Sequence, residues 1–309
     1  MFHPMRRAPS ILIVSALLLV PAALLTGCFG SGGGQAADSS SPPITSLLSG
    51  DTTESRAEAL APYVKATNRF NDSLVTFDFA ITPSLEKMRN GERQKNIALP
   101  HFAELKRNLE EARANPRSAG IHKDIDEEAD AVLAVLNDLA PLAEKMNAYY
   151  SSKGYMADDY AQAAQMTAQY LPLYEAFEAV YEKMDATVTT RHKEVQRARL
   201  AELQKAGRTN AANFMELNVK TRELVDLLDA EQIDRDAAEA TIAEISQLSG
   251  KLPDTPELSS YKLDLNRFIG TFRGFVAGSE DGNNVMDDFN DVVNSSNHID
   301  LESLDKPKK

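Results

Sequence analysis

The 309-residue sequence holds one cysteine, no tryptophan and five histidines. A single cysteine closes no internal disulfide and builds no multi-cysteine zinc or iron–sulfur site. Basic residues are scarce as well: 33 Lys and Arg stand against 46 Asp and Glu, a formal net charge of −13. Nucleic-acid binding needs a basic face, so this balance argues against it. His3, His101, His122, His192 and His298 form no His-x-x-x-His or His-x-x-Glu-His pattern, which leaves a zinc hydrolase without ligands. No Gly-x-Ser-x-Gly, phosphate loop or dinucleotide-type glycine run occurs in a supporting context. No metal, cofactor or enzymatic activity is therefore expected, and each histidine reads as a solvated helix-surface residue.

What is present begins at the N-terminus. Arg6 and Arg7 precede an apolar run from Ile11 to Leu25, broken only by Ser15 and Pro21. This run is shorter than the roughly 20 residues that span a bilayer as a helix, and it has the layout of an export signal. It ends Leu25-Thr26-Gly27-Cys28, which resembles the lipobox of bacterial lipoproteins. That resemblance implies cleavage after Gly27 and lipidation of Cys28, with a diacylglycerol thioether and an acyl chain such as palmitate on the new amine. Residues 1–27 are then a signal peptide and Cys28 the membrane attachment, each buried CH₂ contributing ~0.8 kcal/mol. Phe29, rather than Asp, follows the cysteine. By the same resemblance the outer membrane, facing the periplasm, is the expected site, with the inner membrane as the alternative. Residues 28–50 are rich in Gly, Ser and Pro and read as a flexible tether. Residues 28–309 carry 31 Lys and Arg against 46 acids, so the body is repelled by anionic head groups.

From residue 51 the apolar period is helical. Leu60, Tyr63, Thr67, Phe70, Leu74, Phe77 and Ile81 alternate steps of three and four, the seam of an amphipathic helix. It should start near Thr52–Arg56 and stop before Pro83, where Thr82-Pro83 reads as a fresh cap. Phe102, Leu105 and Leu109 mark a short helix ending before Pro116. A long seam runs from Ile121 through Leu136 to Tyr150, and its unbroken phase across Pro141 predicts a bend rather than an end. Another runs from Ala164 through Tyr181 to Leu203, with a break expected at Gly207 although the phase survives it. Further helices are expected beyond Gly207, from Asp234 to about Leu248, after Thr255-Pro256, and around Val285–Ile299. No period-2, β-branched run is sustained anywhere. The fold class is all-α: an antiparallel bundle of long helices with coiled-coil-like packing over residues 51–301, followed by a disordered tail at 302–309.

One stretch narrows the reading. Tyr149-Tyr150-Ser151-Ser152-Lys153-Gly154-Tyr155-Met156-Ala157-Asp158-Asp159 is similar to a Tyr-Tyr-x-x-Lys-x-Tyr-x-x-Asp-Asp segment of the YiiG-like bacterial lipoproteins. Tyr63-Val64…Asn68 and Phe289-Asn290…Val293…Asn297 resemble the two ends of that family. The resemblance covers roughly residues 55–300 and implies a lipoprotein with a helical domain of unknown function. It brings no catalytic residue.

Seven of the nine tyrosines lie between Tyr149 and Tyr181. Tyr149, Tyr155, Asp158 and Asp159 make a candidate interaction surface, since rigid amphipathic rings give contact area at low entropic cost. The alternative is structural, with Tyr150, Tyr170, Tyr174 and Tyr181 on packed faces and both aspartates capping the next helix. Tyr155, beside Gly154 and outside either helical period, is the ring free to face solvent, but the structural outcome is expected, with this ring stacked under the loop of the turn. Asn68, Asn71, Asn290, Asn294 and Asn297 are expected to hydrogen-bond across a pair formed by the first and last helices. Glu280–Asn284 with Asp287 and Asp288 departs from calcium-loop spacing and reads as a polar interhelical loop. The functional expectation is a lipid-anchored scaffold or adaptor that works by contact with an envelope protein. A periplasmic binding protein for a small molecule or peptide is the alternative.

Overall fold

The computed structural model describes residues 52–306 apart from 119, 230 and 231. The expected signal peptide, the lipobox-like residues Leu25, Thr26 and Gly27, the expected attachment residue Cys28 and the expected tether lie outside the described residues. All regular structure within them is helical: α1 (Thr53–Arg89), α2 (Phe102–Ala114), α3 (Lys123–Ser151), α4 (Tyr155–Asp158), α5 (Ala161–Lys205), α6 (Thr209–Asp226), α7 (Arg235–Lys251), α8 (Pro256–Ala277) and α9 (Gly282–Ser296). The apolar seams dictate this outcome, because each buries its stripe against a neighbour. Leu60, Tyr63 and Phe70 of α1, Leu105 and Leu109 of α2, Ile125, Leu136 and Met146 of α3, and Tyr170, Tyr181 and Val188 of α5 share one core.

That first core is an antiparallel four-helix ring, and charged pairs on its surface record the directions. Glu54 at the start of α1 meets Arg199 near the end of α5, while Asn71 meets Asp185. Asp124 and Glu128 at the start of α3 meet Arg191 and Lys183 of α5. Arg117, after α2, reaches Glu58, and Arg69 reaches Glu104. A second core is formed by α6 to α9, with Leu217 and Leu224, Ile242 and Ile245, Phe268 and Phe272, and Val285 and Phe289. Leu200 and Leu203 at the end of α5 pack against this second core, whereas the buried apolar residues of α5 up to Val195 belong to the first. At ~1.5 Å per residue the 45 residues of α5 form a rod of about 68 Å that serves both.

Three helix boundaries follow local rules. Thr52 caps α1 in a reciprocal box with Ser55, and Thr255 caps α8 with Pro256 at the first helical position. Between α5 and α6 the chain turns at Gly207, whose φ of +69° is open to glycine at no steric cost. The break expected there is present.

Pro83 departs from expectation. α1 does not stop at Thr82 but continues to Arg89 with Pro62 and Pro83 inside it. A proline in a helix interior costs about 3 kcal/mol. Leu85 and Met88, each under 5% exposed, hold the same seam in the first core, and each contributes roughly 1.5–3 kcal/mol on burial. Packing outweighs the break. Pro141 does not end α3, as its unbroken apolar phase predicts, and Pro172 lies inside continuous α5.

The expected pairing of first and last helices is not formed. α1 packs on α2 and α5, and α9 packs on α8. Asn71 instead bonds within the first core, donating to Asp185 (3.1 Å) and accepting from the Tyr181 hydroxyl (2.6 Å). Nor is the segment from 302 a disordered tail up to Lys306. Leu301 and Leu304 are buried in the second core, and Arg208 binds Glu302 and the Leu301 carbonyl. The sequence disguised this anchorage because two isolated leucines show no period.

Candidate functional site

The Tyr149–Asp159 stretch forms the tip where α3 hands over to α5. α3 ends at Ser151, and the chain must reverse within nine residues. It does so by placing Lys153 (φ +56°), Asp159 (φ +49°) and Tyr160 (φ +70°) in the left-handed region. Each such residue with a Cβ costs roughly 1–2 kcal/mol, so the surroundings must impose the conformation.

Asp158 is the first clamp. Its Oδ1 accepts from the Tyr149 hydroxyl (2.7 Å) and the Tyr160 N–H (3.1 Å), and its Oδ2 accepts from the Gln162 N–H (3.1 Å) in the first turn of α5. The Tyr149 hydroxyl and these backbone N–H groups hold the carboxyl below its ordinary range. Burial, then the adjacent carboxylate, pushes the Tyr149 phenol up to about 12. Arg93, from the loop after α1, is the second clamp. It binds Asp159 through two nitrogens (2.7 and 3.0 Å) while its guanidinium lies 5.1 Å from the centre of the Tyr160 ring.

Of the expected surface residues, Tyr149 is buried, and its ring sets the close approach to Gly154. Tyr155 takes the structural placement: it is half-buried, stacked on Tyr160 at 5.0 Å and 6.2 Å from Tyr150. A helical wheel could not place it, because its neighbour Tyr160 comes from the left-handed turn. Asp158 caps α5 as expected, but Asp159 points to Arg93 instead. The exposed apolar group at the tip is Met156, 75% exposed. Sequence reasoning did not single out Met156, Arg93 or Tyr160, and Arg93 lies 66 residues from its partner with no local signal.

A separate cleft opens between α5, α6 and α9, lined among others by Thr189, His192, Gln196, Asn218, Arg222 and Phe289. Its volume is about 40 Å³, far below the ~300–1,000 Å³ of a small-molecule pocket. His192 is no solvated surface histidine. Burial, then Arg222, Arg199 and Lys193, lowers its pKa to about 4, so the ring is neutral at pH 7. His122 also departs from expectation: it is buried at the start of α3, with Nε2 2.9 Å from the Arg56 carbonyl. His101 and His298 are exposed. The Glu280–Asp288 region serves helix joining, with Asp281 capping α9 through the Asn284 N–H and Asp288 paired with Arg267.

Two helical cores on a shared rod, with a clamped aromatic tip, define an all-α protein. No helix of the described residues is long and apolar enough to cross a membrane. The chain belongs to the family described as proteins of unknown function, DUF3829, whose model matches residues 54–300. No curated protein and no solved structure matches the chain.

Proposed function

We propose that this is a lipid-anchored envelope protein whose helical body acts as a scaffold or adaptor, with the tip around Met156 as its contact surface. Membrane attachment rests on the lipobox-like Leu25–Cys28 and on the likeness of Tyr149–Asp159 to the YiiG-like lipoproteins. The observation that carries the contact reading is where the chain emerges. Thr53 donates to Glu202 (2.7 Å) and Glu54 pairs with Arg199, so residue 52, next after the tether, sits beside the C-terminal end of α5. The tip occupies the opposite end of that rod, about 68 Å away. A tether attached at one end displays the other to the periplasm. There Met156 stands exposed on a turn made rigid by Asp158 and Arg93, so little conformational entropy is lost on contact.

A photo-crosslinking residue at Met156, compared with one at Leu263 on α8 (68% exposed), tests this in intact envelopes. A discrete adduct at 156 that is lost in Cys28→Ala supports the reading. Equal labelling at both positions, or none at 156, overturns it.

A further inference from the structure

The cleft between α5, α6 and α9 lies outside the tip and has its own chemistry. One face of α5 supplies Thr189, His192 and Gln196, at steps of three and four, so their side chains line up along one wall. None of the three has a side-chain hydrogen bond within the described residues, although each can donate one. Across from them, Phe289, Val292 and Val293 of α9 make an apolar wall. On the remaining side the polar groups are already engaged. The Asn218 amide donates to the Phe214 carbonyl and accepts from Tyr261, and the Thr221 hydroxyl donates to the Leu217 carbonyl.

The charges around the cleft are of mixed sign, but cations dominate at the imidazole. Lys193 and Arg222 both bind one carboxylate, Asp226 (2.9 and 3.1 Å). Arg199 pairs with Glu54, and Asp185, one turn before Thr189, pairs with Asn71. The charges that act on His192 are Arg222, Arg199 and Lys193, with no acid among them. Three unused donors in a cationic field are the complement of an oxyanion. A water needs ~10–15 Å³ of such space, so about 40 Å³ holds roughly three water-sized positions, the size of a carboxylate group.

We propose that this cleft binds the carboxylate of a small acid or of a peptide terminus through Thr189, His192 and Gln196. The rest of the ligand lies outside, against Phe289 and Val293. Bound negative charge beside His192 favours the imidazolium, so occupancy and protonation of this ring are linked.

The test is NMR of the His192 imidazole in the full chain held in detergent, with His192→Gln to assign the signal. Sodium acetate, phosphate and chloride are titrated at constant ionic strength. Acetate should shift the signal saturably and raise the apparent pKa of His192 by about one unit, equivalent to tenfold tighter binding to the protonated ring. A Thr189→Ala/Gln196→Ala double variant with unchanged circular dichroism should bind acetate at least tenfold more weakly. An acetylated dipeptide with a free C-terminus assigns the source: tighter saturation than acetate marks a peptide end, weaker saturation a free acid. An acetate response no different from chloride, saturation by phosphate alone, or undiminished binding in the double variant each overturns the proposal.

Discussion

Asp305 accepts hydrogen bonds from the backbone N–H groups of Asn210 (2.8 Å) and Ala211 (3.2 Å), closing the first turn of α6 from 95 residues further along the chain. Arg208, at the N-cap position itself, supplies no side-chain cap. The carboxylate does for α6 what Ser, Thr or Asp does locally elsewhere, and its charge suits the helix N-terminus. Asp305→Ala should destabilise the protein by ~0.5–2 kcal/mol in urea unfolding. An unchanged midpoint would show the cap to be idle.

Tyr63 donates to Asp126 (2.6 Å) between α1 and α3, and Asp126 also accepts from the Gly120 N–H and pairs with Arg113. Burial, then the carboxylate, raises the phenol far above its ordinary value, so it stays a donor at any workable pH. Tyr63→Phe removes one donor and leaves the other two in place. A loss of ~1–2 kcal/mol is expected by chemical denaturation.

Opposite outcomes are expected for neighbours at the tip. Lys153→Gly removes the left-handed penalty from an exposed side chain and should stabilise by about 0.5–1 kcal/mol, net of the larger unfolded-state entropy of glycine. Gly154→Ala places a Cβ 2.5 Å from the Tyr149 ring, which is held by Asp158, and should cost ~1–3 kcal/mol. Paired melting curves decide both.

The depressed pKa of His192, about 4 against 6.5, fixes the sign of a pH effect. Between these values the unfolded chain binds more protons than the folded one. The stability that depends on neutral His192 is complete above pH 6.5 and is lost as pH falls towards 4, a change of up to ~3 kcal/mol. His192→Gln should flatten that limb of the stability–pH curve. A curve parallel to wild type between pH 6.5 and 4 would show that another group causes it.

Phe70→Ala should cost ~3–5 kcal/mol and Leu224→Ala ~2–5 kcal/mol, since both side chains are buried and their cavities cannot collapse fully. They lie in different cores, so hydrogen exchange should localise the first loss to α1–α5 and the second to α6–α9. Uniform loss of protection in either variant would mean that α5 couples the two cores into one cooperative unit.

The helices were legible because burial imposes their spacing: Tyr63, Phe70 and Leu136 could be placed from period alone. Pro83 misled because a local rule forbids what the burial of Leu85 and Met88 enforces. Of the tip, the tyrosines and the Asp158 cap were readable, since both are local. The Arg93–Asp159 clamp joins segments brought together only by the bundle, and nothing near either residue announces it. His192 was opaque for the same reason. Its surroundings come from α6 and α9, and its own neighbours in sequence, Arg191 and Lys193, look like a solvated face.

Both ends of the described chain come to one place. Thr53 touches Glu202, and Arg208 holds Glu302 and lies 3.8 Å from Asp305, with Glu202 and Arg208 only six residues apart across the turn at Gly207. The backbone is therefore almost a closed circuit, and where it is cut is a matter of topology rather than packing. A short linker joining the segment after 306 to the one before 52, with new termini opened at the exposed Gln232, would give a circular permutant with all the contacts of both cores.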